Sequence, residues 1–143
     1  MKVIFLDRDG VINRYPGDSD YVKSWSEFHF LPEVKSSLKK LNERGFKIFI
    51  ISNQAGVSKG IYTQEALDLI TKNMLRELND AQVDIAGVYY CTHREADNCS
   101  CRKPKTGLID IAFAKLKDEG LEPELNQGYF IGDTTQDIET GRA

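Results

Sequence analysis

The sequence predicts a doubly wound α/β fold, in which helices cover both faces of a parallel sheet. Four short apolar runs indicate buried strands, and segments with helical periodicity lie between them. Strands and helices in alternation are typical of such a sheet. No repeat, low-complexity tract or linker divides the 143 residues. We therefore expect a single Rossmann-like domain that spans residues 1–143.

The predicted strands end at polar residues. The strands are expected at residues 3–6, 47–51, 87–90 and 129–131. Asp7 directly follows the first strand, Ser52 directly follows the second, and the fourth leads into Asp133. Ligands of such sheets bind beyond the carboxyl ends of the strands, where the strand order reverses. These three side chains therefore predict a shared site.

The predicted helices have clear boundaries. The first has Pro32 in its opening turn and Gly45 at its C-terminal cap. Thr63 suits the N-cap of the second, whose apolar stripe consists of Leu67, Ile70, Met74 and Leu78. A third is expected over residues 106–119, and a fourth is only beginning when the chain stops. These boundaries agree with the alternating pattern.

The composition indicates an ordinary globular protein, with 41% hydrophobic and 29% charged residues. A formal net charge of -3 disfavours a broad nucleic-acid surface. The first apolar run is too short for a signal peptide or a membrane span. We therefore expect a soluble cytoplasmic monomer without a nucleic-acid or membrane partner.

The segment after the first strand suits phosphate chemistry. An ionised Asp7 could attack phosphorus without a separate base. A divalent cation would offset the repulsion between the two anions, and Asp133 would complete an oxygen-rich Mg²⁺ site. Asp9 could protonate the leaving oxygen and later activate water. Taken alone, the Asp-x-Asp-Gly pattern fits a polar turn equally well.

Two further segments could bind a phosphorylated substrate. Ser52, Asn53 and Gln54 supply short hydrogen-bond donors at a strand end, and Arg102 and Lys103 bring two cations to the start of the third helix. Each segment alone also has an ordinary interpretation, as a helix cap or turn for the first and as a solvated surface for the second.

A cluster of cysteines predicts zinc. Cys91, His93, Cys99 and Cys101 offer three thiolates and one imidazole within a short polar loop over about residues 91–101. Four protein ligands would leave no open position on the metal, so the zinc would be structural and would order the loop. The alternative is three unrelated thiols and a surface histidine.

Taken together, these segments resemble the four ordered motifs of the haloacid dehalogenase superfamily. The motifs are Asp7-x-Asp9-Gly10-Val11, Ser52-Asn53, Lys103, and Gly132-Asp133 followed by Asp137. The cysteine loop and the run Cys101-Arg102-Lys103-Pro104 resemble the branch that contains D,D-heptose 1,7-bisphosphate phosphatases and histidinol-phosphate phosphatases. The resemblance covers nearly the whole chain.

The resemblance implies a role for each site residue. Asp7 would be the nucleophile and Asp9 the proton donor and acceptor. Mg²⁺ would be held by the Asp7 side chain, the Asp9 carbonyl and Asp133. Ser52 and Lys103 would hold the transferred phosphoryl group. Substrate contacts would come from Asn53, Arg102 and Tyr21. Asp137 would orient Lys103 or a metal-bound water.

The preferred substrate is D-glycero-D-manno-heptose 1,7-bisphosphate, which would lose its 7-phosphate. The alternatives are histidinol phosphate, a polynucleotide 3'-phosphate, and a catalytically silent zinc-stabilised binding module. Thr134 stands where the bisphosphate enzymes commonly have a lysine, which weakens the case for a bisphosphate. No insertion is long enough for a large cap domain, and the C-terminal strand and helix of the superfamily are expected to be missing.

Overall fold

The protein forms the predicted α/β sheet. The computed structural model describes residues 2–17, 21–92, 107–118, 120 and 128–131. Its strands are β1 (Lys2–Leu6), β2 (Phe46–Asn53), β3 (Gly87–Cys91) and β4 (Gly128–Ile131). Its helices are α1 (Val34–Glu43), α2 (Gln64–Asp80) and α3 (Gly107–Asp118), with a short 3₁₀ helix at Trp25–Glu27.

The four strands are parallel and lie in the order β3-β2-β1-β4. The chain moves from β1 through β2 to β3 on one side, and then returns to the other side of β1 with β4. At the carboxyl end of β1, Leu6 is paired with Ile50 of β2 and with Ile131 of β4. The strand order therefore reverses at the end of β1, which is where a doubly wound sheet binds its ligands.

Alternate residues of β1 point into two hydrophobic layers. Ile4 and Leu6 pack in the layer beneath α1 and α2, whereas Val3 and Phe5 pack in the layer beneath α3. Because both faces of the sheet are covered, β1 reads as a continuous apolar run rather than an alternating one. Burying one such side chain contributes roughly 1.5–3 kcal/mol.

The fold class was predicted correctly, but Pro32 was expected in the opening turn of the first helix and precedes it instead. Helix α1 begins at Val34, because its N-cap residue Glu33 has a left-handed φ of 65°, which does not continue a helix.

The helix boundaries follow from local chemistry. The Thr63 hydroxyl accepts a hydrogen bond from the backbone N–H of Ala66 at 3.1 Å, so Thr63 is the N-cap of α2 as predicted. The predicted stripe of α2 is fully buried and consists of Leu67, Ile70, Met74 and Leu78. Gly45 follows α1 with φ of 88°, a conformation that glycine adopts at little cost.

The largest error in a strand boundary is at the end of the second strand, and the other strand boundaries agree to within one residue. Ser52 and Asn53 were expected just past the second strand, but they are its last two residues. They continue the strand because they pair with Tyr90 and Cys91, which extend β3 by one residue beyond its predicted end. None of the helices in the described part of the chain is long and apolar enough to cross a membrane.

Candidate active site

Asp7 follows β1 directly and is only 7% exposed. One of its carboxylate oxygens, Oδ1, accepts a hydrogen bond from the backbone N–H of Arg8 at 2.8 Å. A carboxylate buried at this level must be compensated by donors or cations. The nucleophile expected from the sequence therefore lies at the point where the strand order reverses, with one of its oxygens fixed.

A tight turn after β1 positions the second carboxylate. The carbonyl of Arg8 accepts hydrogen bonds from the N–H groups of the three residues that follow Gly10, at 2.8 to 3.2 Å. Gly10 has φ of 87°, and its N–H donates to the carbonyl of Asn13 at 2.8 Å. A side chain at position 10 would strain this turn. The Asp9 carboxylate lies within hydrogen-bonding distance of Gln54, which directly follows β2.

The Asp9 carboxylate is held by three side chains. Its Oδ1 accepts hydrogen bonds from Arg8 Nε and Asn13 Nδ2, both at 3.0 Å. Its Oδ2 accepts one from Gln54 Nε2 at 3.2 Å. Arg8 Nη2 lies 2.9 Å from Oδ1 but outside hydrogen-bond geometry, so this contact is purely ionic. The carboxylate of Asp9, the predicted proton carrier, therefore has a defined orientation. Its Oδ2 has fewer hydrogen-bond donors than its Oδ1 and can accept a further proton or donor.

Arg8 is a fully buried cation beneath this turn. Its guanidinium lies 5.8 Å from the ring centre of Phe28 and 5.5 Å from that of Tyr90, and its Nη1 donates to the Tyr90 hydroxyl at 3.5 Å. Burial by itself lowers the pKa of Arg8, but Asp9 and Tyr90 outweigh it, so the pKa lies above the usual value. The charge is therefore permanent.

Ser52 is buried at the end of β2 and connects to Asp9 through Gln54. Gln54 Nε2 donates to Ser52 Oγ at 3.0 Å as well as to Asp9, and Gln54 Oε1 accepts from the Tyr62 hydroxyl at 2.5 Å. The backbone N–H of Gln54 donates to the carbonyl of Cys91 at 2.6 Å. Two of the predicted site residues, Asp9 and Ser52, are thus joined by one amide.

The Tyr62 ring fits into a space left by Gly56. A Cβ atom built on Gly56 would lie 2.2 Å from Cε1 of Tyr62, far inside van der Waals contact. Burial is the main cause that raises the pKa of the Tyr62 hydroxyl; Arg8 lowers it, and Asp9 raises it further. The hydroxyl therefore stays protonated and serves as a donor to Gln54.

Tyr21, a predicted substrate contact, lies beside Tyr62. The two rings are 5.8 Å apart between centroids, and Lys59 Nζ donates to the Tyr21 hydroxyl at 3.0 Å. Tyr21 also lines an open cavity of about 330 Å³, together with Pro16, Val22, Lys23, Ser26, Glu27 and His29. Asp9, Ser52 and Gln54 do not line this cavity, so the structure brings Tyr21 close to Tyr62 but does not place it in this cavity with those three residues.

Of the four predicted zinc ligands, only Cys91 lies among the described residues. It is the last residue of β3, is paired with Asn53, and is buried in the apolar layer beneath α3. Within the described part of the chain, no group of three or more His, Cys, Asp and Glu side chains could hold a metal. The other predicted site residues lie outside the described residues: His93, Cys99, Cys101, Arg102, Lys103, Asp133, Thr134 and Asp137.

The described donors fit the chemistry of Mg²⁺. Asp7 offers a carboxylate, and Asp9 offers a backbone carbonyl in the turn directly after β1. Oxygen ligands of this kind are those that Mg²⁺ prefers. The strand β4, which precedes Asp133 in the sequence, is paired with β1 up to Ile131. An oxygen-rich site at this edge of the sheet is therefore consistent with the backbone.

Two residues of this cluster, Arg8 and Tyr62, had no role in the sequence interpretation, whereas Gln54 was expected with Ser52 and Asn53 as a source of hydrogen-bond donors. Arg8 follows Ile4 and Leu6 at the period of a strand, and a charged residue in that series was a usable signal. Nothing in the local sequence pointed to Tyr62, because its role comes from contacts with Gly56 and Gln54.

Comparison with known proteins identifies the family. A family model described as "Polynucleotide kinase 3 phosphatase" matches residues 2–142. The D-glycero-beta-D-manno-heptose-1,7-bisphosphate 7-phosphatase of Haemophilus influenzae is 33% identical over 146 residues, which cover 98% of this chain and 75% of the relative. Other relatives of similar identity have names that specify the alpha anomer or no anomer.

Solved structures agree with these relatives. The D,D-heptose 1,7-bisphosphate phosphatase of B. bronchiseptica, complexed with magnesium and phosphate, has a TM-score of 0.80 at 27% identity and is matched over 98% of this chain and 74% of its own. A putative had-like phosphatase from Mesorhizobium loti has a TM-score of 0.84 at 25% identity, over 99% of this chain and 68% of its own. By its sequence, its sheet order and these relatives, the chain belongs to the polynucleotide kinase 3 phosphatase family, within the haloacid dehalogenase superfamily.

Proposed function

We propose that this protein is a Mg²⁺-dependent phosphatase that removes the 7-phosphate of D-glycero-D-manno-heptose 1,7-bisphosphate. The observation that carries the proposal is the cluster at the end of β1 and β2, where Asp7 is buried and Asp9 is joined to Ser52 through Gln54. The names of relatives that are 31–36% identical over nearly the whole chain support the substrate.

In the first step, a carboxylate oxygen of Asp7 attacks phosphorus and forms an aspartyl-phosphate. The bond between phosphorus and the ester oxygen breaks, and Asp9 gives its proton to that oxygen. In the second step, water attacks phosphorus, Asp9 takes a proton from the water, and the bond between phosphorus and the Asp7 oxygen breaks. Inorganic phosphate leaves and the Asp7 carboxylate is restored. The hydrogen bond from the Arg8 N–H to Asp7 Oδ1 keeps the nucleophile oriented throughout.

The remaining predicted residues bind the substrate and the metals. Ser52 and Lys103 hold the phosphoryl oxygens, while Asn53, Arg102 and Tyr21 contact the sugar or its second phosphate. Mg²⁺ would be held by Asp7, the Asp9 carbonyl and Asp133. When bound, it offsets the charges of the carboxylate and the phosphate. Zn²⁺ would be held by Cys91, His93, Cys99 and Cys101 and would order the loop that leads to Lys103.

A phosphate-release screen tests the proposal. The substrates are both anomers of the heptose bisphosphate, other sugar phosphates, histidinol phosphate and a 3'-phosphorylated oligonucleotide, each with Mg²⁺ and with EDTA. We expect Mg²⁺-dependent release from the heptose bisphosphate and a loss of at least about 10³-fold in kcat for Asp7→Asn. Asp80→Asn, a change of the same kind at the end of α2, serves as the control.

The screen also separates the alternatives. The family description names a polynucleotide 3'-phosphatase, whereas the relatives that align over most of their length are named for a heptose bisphosphate. We give more weight to the relatives, since the net charge of -3 disfavours a nucleic-acid substrate. Release from the oligonucleotide but not from sugar phosphates would reverse this ranking. Full activity in Asp7→Asn would show that the nucleophile is misassigned.

A further inference from the structure

Gln54 contacts both Asp9 and Ser52, yet it has no role in the two-step reaction described above. We propose that Gln54 is a positioning residue, which holds the proton carrier Asp9 and the phosphate-binding Ser52 at a fixed separation, and that Tyr62 sets the orientation of its amide. The proposal rests on the proposed function for the roles of Asp9 and Ser52. The hydrogen bonds themselves do not depend on it.

Every polar atom of the Gln54 side-chain amide takes part in a hydrogen bond. One Nε2 proton goes to Asp9 Oδ2 at 3.2 Å and the other to Ser52 Oγ at 3.0 Å. The Oε1 atom accepts from the Tyr62 hydroxyl at 2.5 Å. An amide group offers two donors and one acceptor atom, so these three bonds use all of them. Gln54 is fully buried, which excludes water as a substitute partner.

The contacts favour one orientation of the amide. If the amide were rotated by 180°, Oε1 would face the Asp9 carboxylate, and two acceptors would oppose each other without a proton between them. The Tyr62 hydroxyl donates from the opposite side and stabilises the observed orientation. The ring of Tyr62 is itself held against Gly56, so the donor has a fixed position.

This arrangement prepares both partners of Gln54 for the reaction. Because Ser52 Oγ accepts a hydrogen bond from Gln54, its own O–H can donate to a phosphoryl oxygen. Asp9 Oδ1 accepts hydrogen bonds from Arg8 and Asn13, whereas Oδ2 accepts only the one from Gln54. Oδ2 is therefore the oxygen that can carry the transferred proton, and Gln54 fixes its position. A shift of about 1 Å in either group would be costly for the rate.

Two variants test the proposal by kinetics. Gln54→Glu keeps the shape but removes both donors, and we expect kcat to fall about 10²-fold with KM within about twofold. Tyr62→Phe keeps the ring and removes the hydroxyl, and we expect kcat to fall about fivefold. The matched control is Gln64→Glu, because the Gln64 amide also donates to an aspartate, Asp68, but on the exposed face of α2. The control should leave kcat unchanged.

A second measurement uses the protein without substrate. The Nε2 protons of Gln54, followed by NMR, should exchange slowly with water in the unmodified protein, and about tenfold faster in Tyr62→Phe. The exposed Gln64 amide provides the reference. Equal exchange in the two proteins, or a kcat for Gln54→Glu within twofold of the unmodified enzyme, would overturn the proposal. If the unmodified protein releases no phosphate from any ester, the proposed function fails, and the exchange result alone decides whether Tyr62 orients Gln54.

Discussion

Gly56→Ala adds a single methyl group near the site, and we expect it to reduce both stability and activity strongly. Its Cβ would lie 2.2 Å from Cε1 of Tyr62 and 3.0 Å from two more ring atoms. Gly56 does not have a positive φ, so the backbone accepts alanine and the whole effect comes from the ring. Carbon atoms in contact lie about 3.5–4.0 Å apart, so the ring must move by roughly 1.3 Å or more.

The expected cost follows from this movement. Overpacking of this kind costs about 1–3 kcal/mol, and loss of the Tyr62 hydrogen bond to Gln54 adds about 1 kcal/mol. We therefore expect Gly56→Ala to lower the free energy of unfolding by about 2–4 kcal/mol. Activity should fall as well, since the hydroxyl that orients Gln54 is displaced.

A double-mutant cycle measured by urea denaturation tests the reasoning. In a Tyr62→Ala background the ring is absent, and Gly56→Ala should be neutral or slightly stabilising, because alanine restricts the unfolded chain. Gly87→Ala is a second steric comparison: its Cβ would lie 2.8 Å from the Tyr89 hydroxyl oxygen and 3.0 Å from two ring atoms, so it should cost less than Gly56→Ala, whose nearest ring atom is at 2.2 Å. The same loss of stability from Gly56→Ala in both backgrounds would refute the steric explanation.

Three further predictions concern charge and metal. Because the pKa of Tyr62 is raised, the folded state keeps a proton that the unfolded state loses above about pH 10, so stability should fall there by up to about 1.4 kcal/mol per pH unit more than in Tyr62→Phe. Urea denaturation of both proteins between pH 9 and 11 measures the difference, and parallel pH profiles would contradict it. Arg8→Met should cost about 3–5 kcal/mol, since it leaves Asp9 without its buried cation. Lys35→Met, which breaks a half-exposed pair with Glu77 at 3.4 Å, should cost less than about 1 kcal/mol; similar costs would argue against a special role for Arg8. Metal analysis should find about one zinc per chain, and a zinc chelator should lower the melting temperature; a zinc-free protein with an unchanged melting temperature would rule out the predicted loop site.

Periodicity and caps were sufficient to predict the fold. The apolar stripe of α2 and the Thr63 cap are local features, because each depends on residues three or four positions apart. The end of β2 was not predictable in the same way. Ser52 and Asn53 are polar and would normally end a buried strand, but pairing with β3 keeps them in the sheet. Partner strands are not visible in a local pattern.

The same distinction applies to the site. Asp7 and Ser52 were found because each follows an apolar run, and Asp9 because it is a second carboxylate two residues after Asp7. Tyr62 was not found, since its function requires contact with Gln54 eight positions away and with the ring space of Gly56. The role of Arg8 could not be predicted from a motif, because it depends on contacts with the rings of Phe28 and Tyr90, which are distant in the sequence.

The carbonyl of Cys91 holds the backbone N–H of Gln54, and this bond has a consequence for changes in chain length. A single residue added within β3 would slip the pairing of β3 with β2 by one position and reverse the faces of its side chains. Insertions within β3 should therefore be poorly tolerated, because they would move the Cys91 carbonyl away from Gln54 and also shift the pairing with β2.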